Sequence, residues 1–89
     1  MATITLEIQN IKGLHARASA KLAEVVEAHD AEATVSKDGM SADGASIMGL
    51  LMLAATIGSE ITVETRGPQA DALADAIRDL VNDKFGEGD

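Results

Sequence analysis

ATITLEIQNIKGLHARASAKLA, residues 2–23, changes its periodicity once, at Gly13-Leu14-His15. Before that point Ile4, Leu6 and Ile8 alternate with Thr3, Thr5, Glu7 and Gln9, the two-residue period of a strand buried on one side, over residues 2–9. After it the apolar positions Ala18, Leu22, Val25 and Val26 share one face at helical spacing, which predicts a helix over residues 16–28. Asn10 to Leu14 is then the connecting loop, with Gly13 supplying backbone freedom. His15 therefore falls at the mouth of a helix, where the first backbone N–H groups lack intrahelical acceptors.

The same reading extends to the end of the chain. Glu32 to Lys37 is a second strand with Ala33 and Val35 inward, Asp38-Gly39 is a hairpin turn, and Met40 to Asp43 is a short third strand. Ser46 is a good N-cap for a short helix from Ile47 to Leu53. Glu60 to Arg66 alternates again, with Ile61 and Val63 inward. Gly67-Pro68 opens a last helix whose core stripe is Ala70, Leu73, Ala74, Ile77, Leu80 and Val81. Gly86 is expected to end that helix and Gly86 to Asp89 to fray. The order is βαββαβα, an α+β two-layer fold with helices on one face of an antiparallel sheet. Pattern alone does not separate it from a ferredoxin-like fold.

Composition narrows the function. The 89 residues suit one domain, 1–89. Hydrophobic residues make up 46% and aromatics 1%, so the core has to be aliphatic. There is no cysteine, hence no disulfide and no thiolate metal site. No signal peptide or apolar run long enough for a membrane span is visible, and the expected location is cytoplasmic. A net charge of −8 argues against nucleic acid. The acids are unevenly placed. Residues 8–23 contain none, while Lys12, Arg17 and Lys21 lie there; residues 44–59 carry no charge of either sign. Both windows suit contact with an anionic or apolar partner.

An imidazole at a helix mouth beside an arginine has what phosphoryl carriage needs. A ring nitrogen serves as nucleophile, the guanidinium pairs with phosphate oxygens, and the helix end adds roughly half a positive charge. A metal site is not expected: His29 stands fourteen positions after His15, which is roughly 20 Å along a helix at about 1.5 Å per residue. The helix at 47–53 is apolar nearly all round, which a single helical layer over a small sheet cannot bury. Some of Ile47, Met48 and Leu51 is therefore expected at the surface as a contact patch. Ala16 and Ala20 are small and lie near His15, which lets another protein approach closely.

Gly13-Leu14-His15-Ala16-Arg17 resembles the active-site signature of HPr, the histidine-containing phosphocarrier of the bacterial phosphotransferase system. Gly44-Ala45-Ser46-Ile47-Met48-Gly49 resembles the regulatory-serine segment of the same family, in the family's order and spacing. The resemblance covers nearly the whole chain. It implies an open-faced sandwich, a four-stranded antiparallel sheet of order 1-4-2-3 covered by three helices. It implies a monomeric carrier without cofactor, more a substrate of other enzymes than an enzyme, serving sugar uptake or a nitrogen-related branch. His15 would accept phosphate on Nδ1 from phosphorylated enzyme I and pass it to a IIA protein, with Arg17 as the phosphate's charge partner. Ser46 would be a regulatory site for HPr kinase/phosphorylase. One departure is visible: the residue after Arg17, commonly proline in the family, is Ala18. It adds a backbone N–H where proline has none, which implies either a less fixed first turn or one more donor to phosphate. Two other readings stay open at this point, an HPr-like docking module that no longer transfers phosphate and an unrelated ferredoxin-like domain. Retained phosphorylation of His15 separates the first from a carrier, and strand order separates the second.

Overall fold

Alternation in the strands and helical spacing between them build one sheet with helices on one face. The computed structural model describes residues 1–87. Its elements are β1 (Ala2–Glu7), α1 (Ala16–Glu27), β2 (Glu32–Lys37), β3 (Met40–Asp43), α2 (Ile47–Met52), β4 (Glu60–Arg66) and α3 (Ala70–Asn82), followed by a 3₁₀ turn at Lys84–Gly86. The sheet order is β1-β4-β2-β3 and every pairing is antiparallel. That order is the one implied by the family resemblance, and it removes the ferredoxin-like alternative.

Register explains why the apolar positions meet. Ile4 lies opposite Val63, Val63 opposite Val35, and Val35 opposite Ala42, so one row of branched and small side chains crosses all four strands. Leu6 and Ile61 form the next row. These rows carry the faces of α1 and α3: Ala18, Leu22 and Val26 from α1, and Leu73, Ile77 and Val81 from α3, join one buried cluster. Ile8 lies past the end of β1 but stays inside, donating to the Ser59 carbonyl at 2.8 Å and accepting from Gly58 N–H at 2.8 Å. The strand is thus shorter than the alternation suggested, and its period persists.

Three buried polar residues, Asn10, Ser19 and Thr65, lie beyond the apolar pattern, and the two hydroxyls are satisfied. The Thr65 hydroxyl donates to the Ala70 carbonyl at 2.8 Å, tying the end of β4 to the first turn of α3. The Ser19 hydroxyl donates to the Leu14 carbonyl at 3.2 Å, tying α1 to the loop before it. Each bond offsets the desolvation of a hydroxyl inside the fold.

The C-terminus departs from expectation. α3 begins at Ala70, after Gly67-Pro68, and ends at Asn82, before Gly86. Lys84, Phe85 and Gly86 then take left-handed backbone angles, φ 54°, 55° and 74°, and turn the chain back on itself. Phe85, the single aromatic residue of the chain, is fully buried there. Gly86 and Glu87 are ordered parts of this hook, where fraying was expected; Gly88 and Asp89 lie outside the described residues.

The loop before α1 is held by close backbone contact. Gly13 has φ +65°, and a Cβ on it would sit 2.3 Å from the Ala55 carbonyl oxygen. The neighbouring Leu14 N–H donates to that same oxygen at 2.8 Å. Gly13→Ala therefore meets both a left-handed penalty and a backbone collision. We expect a loss of about 2–4 kcal/mol in denaturant unfolding; a loss below about 1 kcal/mol would show that the loop relaxes freely.

Candidate functional site

The loop geometry sets His15 as the N-cap of α1, with extended backbone angles, while its carbonyl accepts the first helical bond from Ser19 at 2.8 Å. An N-cap position ordinarily favours a short oxygen-bearing side chain. Here Nδ1 takes that part, accepting from the Arg17 N–H at 3.3 Å. The imidazole therefore points Nδ1 at the helix N-terminus, where Arg17 and Ala18 N–H groups have no helical acceptor. The first turn carries no acid. Ala18 is buried and its backbone N–H lies in this turn, a donor that proline would lack.

The other ring nitrogen has a partner that sequence reasoning missed. Nε2 of His15 pairs with Oε2 of Glu87, from the C-terminal hook. The second carboxylate oxygen of Glu87 accepts from Asn10 Nδ2 at 3.0 Å. Asn10 is fully buried, and the same amide nitrogen donates to the Gly13 carbonyl at 2.7 Å. One amide thus joins the loop to the tail. The hydrogen bond from His15, seconded by that from Asn10, holds the Glu87 carboxyl below its ordinary value of 4.5; desolvation opposes this, and the positive charges of His15 and Lys12 assist it.

His15 is still reachable, with 27% of its side chain exposed against 11% for Glu87. Beside it lies a basin lined by Lys12, Arg17, Lys21, Gly86 and Glu87. Three cations on one rim suit an oxyanion. Lys21 also donates from Nζ to the Phe85 carbonyl at 2.6 Å, so one cation is part of the hook's fastening. No cluster of three or more metal-ligating side chains occurs among the described residues. His29 stands apart near the end of α1, its Nδ1 bonded to the Val25 carbonyl at 2.7 Å.

Ser46 is the N-cap of α2, and its Oγ accepts from Gly49 N–H at 3.0 Å. The apolar helix it opens buries Leu50, while Ile47 is 42%, Met48 70% and Met52 68% exposed. Leu51 is only half-exposed, so Met52 rather than Leu51 is the third bare member of the patch. Ile11 and Ile57, on the loops flanking the site, are also exposed apolar residues that the pattern did not single out. Of the two alanines expected near His15, Ala16 is exposed and Ala20 half-buried. Arg17 is exposed on the first turn of α1.

Known proteins with this sequence pattern share the fold. Residues 2–83 match the family model described as PTS-HPr, PTS HPr component phosphorylation site. The phosphocarrier protein HPr of Cupriavidus necator is 46% identical over 82 residues, covering 92% of each chain. The phosphocarrier protein NPr of Shewanella violacea is 48% identical over 80 residues, covering 90% of this chain and 88% of its own. Among solved structures, HPr-C-His of Thermoanaerobacter tengcongensis superposes with a TM-score of 0.93 at 32% identity, covering 98% of both chains.

Proposed function

The chain belongs to the HPr/NPr phosphocarrier family of the phosphotransferase system, and on that premise we propose that His15 is the phosphoryl acceptor, through Nδ1. The donor in this reading is phosphorylated enzyme I and the acceptor a IIA protein. The observation that carries the reading is the direction of the imidazole. Nδ1 faces the first turn of α1, where it accepts from the Arg17 N–H, and Nε2 is engaged by Glu87. A phosphoryl group on Nδ1 would bring its oxygens to the N–H groups of that turn and to the Arg17 guanidinium. A helix terminus stabilises such a charge by about 0.3–1 kcal/mol, up to ~2 in partly buried geometry. That orients the group without trapping it, as a carrier requires.

The described residues of one chain supply His15, Arg17, the helix end and Glu87, so a monomer suffices for transfer in this reading. No helix among the described residues is long and apolar enough to cross a membrane; the cytoplasm is the proposed location, where enzyme I and IIA would be met. Ile47, Met48 and Leu51, with Met52, and the small Ala16 and Ala20, are the proposed docking surface. Relatives of this chain bear both HPr and NPr names. The serine segment favours a regulatory setting, with HPr kinase/phosphorylase acting on Ser46.

The Ser46 proposal has a physical basis in the α2 cap. A phosphate there adds nearly two negative charges at a helix N-terminus, which is locally favourable. It would also stand beside Ile47 and Met48 and oppose docking of an acidic or apolar partner face. Incubation with enzyme I and phosphoenolpyruvate should load the wild type with one acid-labile phosphate, read by intact mass, and leave His15→Ala unlabelled. Absence of phosphate on the wild type, with a working control acceptor, would favour a docking module without transfer. In the same assay Ser46→Asp should be charged about 10-fold more slowly, the scale of one docking contact opposed by charge; charging at the wild-type rate would remove the regulatory role.

A further inference from the structure

We propose that Glu87 is a positioning residue for His15: it holds the imidazole proton on Nε2, keeps the Nδ1 lone pair toward α1, and opposes the ring charge once Nδ1 carries phosphate. The inference rests on the carrier reading given above and deepens it.

The hook that delivers Glu87 is built to hold its place. Phe85 is buried at its centre. Two successive non-glycine residues, Lys84 and Phe85, accept left-handed angles, a cost of about 1–2 kcal/mol each. Such backbone persists only where its surroundings over-determine it. Four bonds secure it: Gly86 N–H to the Asp83 carbonyl at 2.9 Å, Glu87 N–H to the Lys84 carbonyl at 3.0 Å, Lys21 Nζ to the Phe85 carbonyl at 2.6 Å, and Asn10 Nδ2 to Glu87 Oε1 at 3.0 Å. The last leaves Oε2 directed at His15. The charged groups around the pair are Lys12 from the loop, Arg17 and Lys21 from α1, and Glu87 itself from the hook. Glu87 is the single acid among them.

A carboxylate only accepts, so it favours the neutral ring with its proton on Nε2. The Arg17 N–H at Nδ1 favours the same tautomer from the other side. An acid that fixes a reactive imidazole's tautomer and steadies its cation is the arrangement used in acyl-transfer triads. In this site the nucleophile is the ring itself. The Nδ1 lone pair attacks phosphorus while the donor's bond to phosphorus breaks and its electron pair leaves with the donor. No proton moves. The ring keeps Nε2–H and becomes a phosphoimidazolium opposite the Glu87 carboxylate. In onward transfer the acceptor's lone pair attacks phosphorus, the Nδ1–P pair returns to Nδ1, and the ring is neutral again with its proton where it was. Glu87 serves both directions, as a carrier's orienting group must.

The test compares wild type, Glu87→Ala and Glu87→Gln by ¹⁵N spectroscopy of the His15 ring at a pH where it is neutral, and by single-turnover charging from phosphorylated enzyme I. In the wild type the Nε2–H tautomer should dominate. Glu87→Ala should raise the Nδ1–H fraction and slow charging about 10-fold, the lower end of what loss of an orienting partner costs a functional imidazole. Glu87→Gln, which keeps a carbonyl acceptor, should restore the tautomer and only part of the rate. A purely structural tail would lower thermal stability and leave the tautomer unmoved. An unchanged tautomer in Glu87→Ala, or an unchanged rate in a protein that takes phosphate, overturns the proposal. A shifted tautomer in a protein whose wild type takes no phosphate removes the carrier reading and leaves the positioning of the ring intact.

Discussion

The contact between Gly13 and the Ala55 carbonyl is the constraint on which the site depends. Only a residue without a Cβ lets the loop lie on that oxygen, where a Cβ would come within 2.3 Å. Leu14, next in sequence, then donates to it and stays buried. With Leu14 fixed inside, His15 must stand at the first turn of α1. Its backbone becomes the N-cap and its ring lies against the helix end. The chemistry of the site thus follows from a packing requirement on the residue two positions before it. Ala54, which precedes the oxygen's own residue, itself takes a left-handed angle of φ 52°, so the receiving loop is shaped to the same contact.

A second closure comes from the far end of the chain. Phe85 supplies what the aliphatic core lacks, one large ring that seats the C-terminus against the body of the fold. Its burial lets the hook hold strained backbone and places one acid in an otherwise basic setting. Asn10 then serves both closures, with Nδ2 shared between the Gly13 carbonyl and Glu87. Loop, helix end and tail are therefore coupled through a few hydrogen bonds around one imidazole. Surface ion pairs elsewhere, such as Arg78 with Asp75, are exposed and contribute little.

Much of this was legible in the sequence, and the exceptions have physical reasons. The strands could be read because one face of the sheet is buried, which forces a period of two; Ile4, Leu6, Ile61, Val63, Ala33 and Val35 all fall on that face. Strand order could not be read from period and came only with the family resemblance. His15 and Arg17 were legible because a helix mouth is local. Glu87 was not, because it reaches His15 across 72 positions and a charged residue near a terminus looks solvated. The lone aromatic at Phe85 was the available signal, since a single large ring near a chain end has to be buried somewhere. Ile47 and Met48 are exposed as expected, but the exposure of Met52 was not legible, for a different reason. A helix apolar on all sides has no phase from which to tell its bare face, and only the packing of Leu50 and Leu53 beneath it decides.

The account turns on which ring nitrogen is free to react. The most direct measurement is the one-bond ³¹P–¹⁵N coupling in the phosphorylated protein labelled with ¹⁵N-histidine. The structure predicts the coupling at Nδ1 of His15 and an attached proton at Nε2. A phosphorus coupling at Nε2, the nitrogen that Glu87 engages, would contradict it, because the acceptor would then be the nitrogen facing the tail.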